Sequence, residues 1–338
     1  MRGRSYLTFF LAVLVIAGFA AGTAAESKLN YANFPPPQTF PCVQMERWAK
    51  EVEKRTGGQV KIQTFPGGTL LPAKNTFDGV ISGTADIGCF AMSYQPGRFP
   101  LSEAIDLPLG FTSAKVASLA LYDLIERYRP KEFEKVKIIT LFTCPPNDLM
   151  TSKPVRSLAD LKGVELRVSG TGAEVIKRLG GIPVAMPMSD TPEAIQKGIV
   201  KGIVSSLETL QDFNYAAYCP FATEANLFVV SFAVVMNQEK WDSLPAQVKK
   251  VLDDLRREQA EWTGNYVDHH VEEALAWAKG KYGHQVFSLS AKDQAEIQRL
   301  VQPMIDAYAS RVSAQGIPAR QILDDIQRLK KKYGVRSR

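Results

Sequence analysis

From Ser243 to about Lys279 the chain places Leu244, Val248, Val251, Leu252, Leu255, Trp262 and Tyr266 at helical spacing, a run longer than an ordinary globular helix. About 35 residues at 1.5 Å rise reach roughly 50 Å, more than the width of one small domain. A helix of that length lies along two lobes, and Gly264 is where it could bend. Before it, short β-rich runs at 28–34, 59–65, 85–92, 136–142, 165–169 and 182–186 alternate with helical patterns at 39–55, 73–81, 113–128 and 172–179. That alternation predicts an α/β fold. Thr191-Pro192-Glu193 reads as a helix start, with Thr191 able to cap it and Gly198 able to close it. Leu227 to Met236 fits a buried strand, and amphipathic segments at 291–315 and 318–333 end the chain. With 338 residues there is room for about two domains, and with no low-complexity linker the lobes should be joined by elements that cross back and forth.

The net charge of +6 comes from the ends, through Arg2, Arg4 and six basic residues between Arg328 and Arg338; the remainder is nearly neutral. This argues against a nucleic-acid partner. The basic tail reads as a solvated end, with a docking patch as the alternative. Met1-Arg-Gly-Arg, the uncharged run Leu7 to Ala17 and the small residues Ala20 to Ala25 read as a secretory signal over 1–25, with Thr23 and Ala25 before the cut and Glu26 after it. The run is shorter than the ~20 residues of a membrane span, which is the competing reading. An exported, periplasmic chain follows. Cys42, Cys89, Cys144 and Cys219 lack metal or redox spacing and are either paired in disulfides or buried as small apolar groups.

Signatures of catalysis are missing. His269 and His270 are adjacent, so they diverge by about 100° on a helix and cannot form a metal pair; with His284 they read as solvated residues. No nucleophile elbow or Walker loop occurs, Gly170-Thr-Gly172 is a weak dinucleotide match, and no cofactor or metal is expected. A Lys- or carboxylate-based exported enzyme stays open as an alternative. Arg167 stands apart, within an apolar strand in Leu158-Ala-Asp-Leu-Lys-Gly-Val-Glu-Leu-Arg-Val168. Buried, its planar fork needs an anionic partner. On composition alone an internal ion pair or an edge-strand position is favoured.

The stretch Asp160 to Val168, with Leu179-Gly-Gly-Ile-Pro-Val-Ala-Met-Pro187 and Ala194-Ile-Gln-Lys-Gly-Ile-Val-Lys-Gly202, resembles the TRAP-transporter solute-binding proteins of the C4-dicarboxylate-binding type. The likeness runs on through 40–58, Phe65-Pro-Gly-Gly-Thr-Leu70, Gly79 to Gly88, Leu107-Pro108, Val235-Met-Asn237 and Ser243-Leu-Pro245. It implies a two-lobe periplasmic-binding-protein fold, with a cleft that closes on a small organic anion and a long helix spanning both lobes. By this resemblance lobe I comprises 26–144 and about 233–272, and lobe II comprises 145–232 and about 273–338. It also implies a monomer that hands its solute to the subunits of a TRAP permease. In the family an Arg at the position of Arg167 clamps the ligand carboxylate, so the resemblance reverses the bland reading of that residue.

Departures from the family pattern bear on the ligand. The second Arg of many members falls near Asn147, Ser205 stands where an Asn often touches ligand, and Met188 replaces a Phe. Glu208 resembles the acid of a Pro-Trp-Glu variant. Cleft-facing positions in the family further suggest Phe34, Tyr94, Asn226 and Phe228 as wall residues. One Arg among aromatic and hydroxyl groups suits a monoanion: a hydroxy-, keto- or aromatic acid, or a sulfonate. A C4-dicarboxylate fits less well. A sensing partner of a signalling receptor, built on the same fold, is the alternative to a transport receptor.

Overall fold

The computed structural model describes residues 27–334, so the leader assigned to 1–25 lies outside the described residues. The strands are β1 (Ser27–Asn33), β2 (Val60–Phe65), β3 (Ile87–Ala91), β4 (Val136–Thr143), β5 (Asp148–Thr151), β6 (Glu165–Val168), β7 (Ile182–Ala185), β8 (Gly202–Ser205), β9 (Phe221–Glu224), β10 (Ser231–Asn237) and β11 (Gln285–Ser288). The helices are α1 (Phe40–Arg55), α2 (Thr76–Ile81), α3 (Pro100–Glu103), α4 (Ala114–Tyr128), α5 (Gly172–Arg178), α6 (Thr191–Gln196), α7 (Thr209–Asp212), α8 (Gln238–Ser243), α9 (Ala246–Tyr282), α10 (Ala291–Ser313) and α11 (Ala319–Gly334).

Two sheets make the two lobes of this α/β protein. One has the order β2-β1-β3-β10-β4 and the other β11-β9-β5-β8-β6-β7. In the first, β1 runs parallel to β2 and β3, while β10 enters antiparallel between β3 and β4. The chain leaves this sheet after β4 and re-enters it at β10, so two extended crossings join the lobes. Six of the seven residues of β10 are buried, which is why Leu227 to Met236 is apolar without alternation. In the second sheet β6 lies parallel between β7 and β8, which carries Arg167 into the middle of the molecule.

The long helix α9 spans 37 residues and touches elements of both lobes, including α1, α4 and α7. Its N-terminal half buries Val248, Leu252 and Leu255, and its middle buries the small or polar Gln259, Ala260, Thr263 and Gly264. Packing explains Gly264. A Cβ there would come 2.5 Å from the Lys115 Cα at the start of α4, so the two backbones meet directly. One turn on, Asp268 accepts the Ser113 hydroxyl at 2.6 Å and the Ala114 and Lys115 amides at 2.7 and 3.0 Å, capping α4 from outside.

Other local expectations are corrected. Asp190 and not Thr191 precedes the first turn of α6, with Pro192 inside that turn. All four cysteines are free and buried, which removes the disulfide alternative. The C-terminal helix packs against the rest of the protein. Ile322 and Ile326 of α11 join one apolar cluster with Leu121 and Ile125 of α4, because the amphipathic face of α11 covers the exposed side of that helix. Residues 319–334 therefore return to the first sheet, where the sequence reading put them with the second lobe. Of the basic end, Arg328 and Lys332 stay exposed, while Lys330 donates to the Leu109 carbonyl, and Lys332 and Tyr333 both bond Asp123.

Candidate functional site

Between the sheets lies a cavity of about 50 Å³. Its residues come from loops that follow strand ends, the usual ligand position in open α/β sheets. From the first lobe, Phe34 follows β1 and Tyr94 ends a single turn after β3; Phe40 sits at the start of α1. From the second come Arg167 on β6, Met188 after β7, and Ser205 and Glu208 between β8 and α7; Asn147 belongs to a crossing segment. Phe232 of β10 stacks 6.4 Å from Phe34, and Tyr94 meets Phe34 edge-on at 5.5 Å, so the first-lobe wall is aromatic.

Arg167 is 2 % exposed. Its Nε and Nη2 both donate to the Met186 carbonyl, at 3.1 and 2.8 Å. Its bonds among the described residues go to a carbonyl and not to a carboxylate, so the internal ion pair favoured by composition is absent there, and β6 is not an edge strand. A guanidinium without a counter-charge is costly to bury. One carbonyl cannot satisfy five donors. The site therefore presents a fixed cation with donors to spare.

Acidic groups gather at the α7 side of the cavity. Burial is the main cause raising the Glu208 carboxyl to about 8; the Ser206 hydroxyl, donating to Oε1 at 2.6 Å, pulls it down. Its Oε2 has no partner among the described residues. Asp212 is likewise raised by burial, opposed by a 2.7 Å bond to His270 Nε2. His270, with Glu273 at 3.1 Å on Nδ1, is raised to about 9, chiefly by Asp212. Both ring nitrogens face carboxylates, which requires both to carry hydrogens. This histidine is buried, contrary to the solvated expectation; His284 is buried too, and only His269 is exposed.

The sequence candidates divide. Phe34, Tyr94, Asn147, Arg167, Met188, Ser205 and Glu208 share the cavity wall. Asn147 is committed to the crossings, donating from Nδ2 to the Phe228 carbonyl at 3.0 Å and from its amide at 2.7 Å. Asn226 and Phe228 lie elsewhere. Asn226 takes a left-handed turn (φ 47°) whose amide is held by Asp148, and it faces a separate groove behind the crossings. Phe228 is core packing, close enough to α5 that a Cβ on Gly172 would stand 2.2 Å from its ring. Sequence reasoning missed Phe40, Ser206, Asp212 and Phe232. The last two sit in an amphipathic turn and a uniformly apolar strand, patterns that carry no sign of a cavity.

Several bonds cross between the lobes here. Tyr94 Oη accepts the Met188 amide at 3.0 Å, Thr171 Oγ1 donates to the Asp106 carbonyl at 2.9 Å, and Gln38 Nε2 to the Asp212 carbonyl at 2.7 Å. The Phe40 amide reaches Asp212 Oδ2 at 3.3 Å. These bonds hold the two lobes against each other beside the cavity.

Comparison with known proteins agrees with this arrangement. The model of the family "bacterial extracellular solute-binding protein, family 7" matches residues 31–311. A TRAP periplasmic solute-binding protein from Desulfovibrio salexigens, solved as an open complex, is 52 % identical with a TM-score of 0.84, covering 93 % of this chain and 98 % of its own. A marine metagenome TRAP solute-binding protein specific for aromatic acids, solved with metahydroxyphenylacetate, is 26 % identical with a TM-score of 0.87, covering 91 % and 99 %. The C4-dicarboxylate-binding periplasmic protein DctP of Rhodobacter capsulatus is 22 % identical over 86 % of this chain and 89 % of its own.

Proposed function

Because the chain belongs to family 7 of the bacterial extracellular solute-binding proteins and is a TRAP solute-binding protein, we propose that it is a periplasmic receptor that captures a small organic monoanion and delivers it to a TRAP membrane permease. The observation that carries this reading is Arg167: buried, lining the cavity between the lobes, and bonded among the described residues only to the Met186 carbonyl. A ligand carboxylate or sulfonate supplies the missing charge and meets the guanidinium fork in a geometry a single carbonyl cannot. The absence of a second Arg at Asn147 favours one anionic group over two, and the aromatic wall of Phe34, Tyr94, Phe40 and Phe232 suits a hydroxy-, keto- or aromatic acid.

Capture follows from the geometry in physical terms. The solute's anionic end meets Arg167, the lobes shut, and the excluded water leaves that pair in a medium where it is worth more. A screen of organic acids and sulfonates by thermal shift tests the reading. The expected result is stabilisation by at least one monoanion, weakened at least about 30-fold in affinity by Arg167→Ala. An unchanged shift in that variant, or conversion of the added acid detected by mass spectrometry, would overturn the proposal.

A further inference from the structure

The cavity has a second polar pole, which an anion held by Arg167 leaves unused. Glu208 is 1 % exposed and lines the same cavity, yet its Oε2 has no partner among the described residues. A buried polar atom in a native protein is rarely without a hydrogen-bond partner. The groups around it are accounted for. Ser206 donates to Oε1; Asp212 of α7 and His270 of α9 bond each other; Cys144, from the crossing after β4, bonds the Val230 amide and the Asn147 side chain through its sulfur. None is bonded to Oε2.

The charge balance narrows what can be. His270 is held between Asp212 and Glu273, and Glu208, raised to about 8 mainly by burial, keeps its proton at neutral pH. An uncharged carboxyl has one hydrogen to give and lone pairs to receive, the same endowment as a hydroxyl. A second anion finds no cation there, and an ammonium would have to ionise Glu208 against its burial.

We infer that Glu208 reads a hydroxyl group on the bound acid, so that this receptor selects hydroxy-acids over the same acids lacking the hydroxyl. The inference rests on the receptor reading above and names the solute class of that same site. It makes Glu208 the specificity-determining residue and Arg167 the general anion anchor. A pocket that hydrogen-bonds a hydroxyl rejects the deoxy analogue because the buried group is then stranded, whereas an apolar pocket discriminates weakly.

The test is isothermal titration of the mature chain near pH 6.5 with two pairs of acids, propionate against 3-hydroxypropionate and benzoate against 3-hydroxybenzoate. At least one hydroxylated acid is expected to bind about tenfold or more tightly than its parent. Glu208→Ala should erase that preference, and Glu208→Gln, whose amide both gives and receives, should keep most of it. Equal affinities within both pairs overturn the inference. So does a preference that survives Glu208→Ala, or tighter binding of 3-aminopropionate than of 3-hydroxypropionate. If none of the four acids binds while another anion stabilises the protein through Arg167, the inference falls and the receptor reading stands. If binding of every acid is indifferent to Arg167→Ala, both fall.

Discussion

Arg167 and Glu208 face one cavity but respond to pH in different ways, because a guanidinium does not titrate in the accessible range and a carboxyl raised to about 8 does. Below that value the cavity holds one positive charge. Above it a negative charge joins, and an anionic ligand is opposed. The affinity for any monoanion is therefore expected to fall as pH rises past about 8, by up to about tenfold per unit, while Glu208→Gln loses the step at about 8 and keeps only the shallower fall that deprotonation of His270 near 9 brings. Titrations at pH 7 and pH 9.5 in both proteins decide this, and parallel profiles would remove Glu208 from the electrostatics of the site. How far the site was legible also turns on single residues. Arg167 could be singled out because a cation inside an apolar strand is anomalous in the sequence itself. His270 could not: next to His269 on a helix it looks solvated, and only the fold brings Asp212 from another segment to within 2.7 Å.

The contact between α4 and α9 rests on the missing side chain of Gly264 and the carboxylate of Asp268. Gly264→Ala puts a methyl 2.5 Å from the Lys115 Cα, where backbone and not a flexible side chain must give way. The expected cost is about 1–3 kcal/mol, read as a lowered urea midpoint with unchanged m value. Asp268→Ala strips three bonds from the start of α4 and should cost about 1–2 kcal/mol by the same measurement. A variant within experimental error of wild type would show that the helix start finds its partners elsewhere. The sequence was informative where an element was long. The 37 residues of α9 leave a stripe that periodicity detects, whereas of the four-residue strands only β6 and β7 were assigned and β5, β8, β9 and β11 were not. Asp148-Leu-Met-Thr151 and Gly202-Ile-Val-Ser205 carry too few alternations to declare a strand, and pairing with one another makes them one. Asn226 and Phe228 misled for a related reason: they flank a crossing whose direction no local pattern records.

For the whole molecule, several buried groups push stability the same way with pH. Burial raises the carboxyls of Glu208 and Asp106 to about 8 and that of Asp148 to about 7, and the bond with Asp212 raises His270 to about 9. In each case the folded value exceeds the unfolded one, so the contribution is whole below the unfolded pKa and is lost as pH climbs to the folded one. For the carboxyls that window opens near pH 4 to 4.5 and closes at 7 to 8; for His270 it runs from about 6.5 to 9. Asp78, Asp123 and Glu258, lowered by their partners, act oppositely only at the acid end. The ligand-free protein should thus melt at a higher temperature near pH 5.5 than near pH 9, by calorimetry, and a flat or rising profile would contradict the assignment. Solute at 100 times its dissociation constant should add about 2.7 kcal/mol at any fixed pH.

Cys42, Cys89, Cys144 and Cys219 are uncrosslinked, buried and pushed up by that burial, so a thiol reagent should react with the protein only after it unfolds. Nothing in the architecture waits on an electron acceptor. The protein made among glutathione and thioredoxin should reach the same native state as the protein made under oxidising conditions.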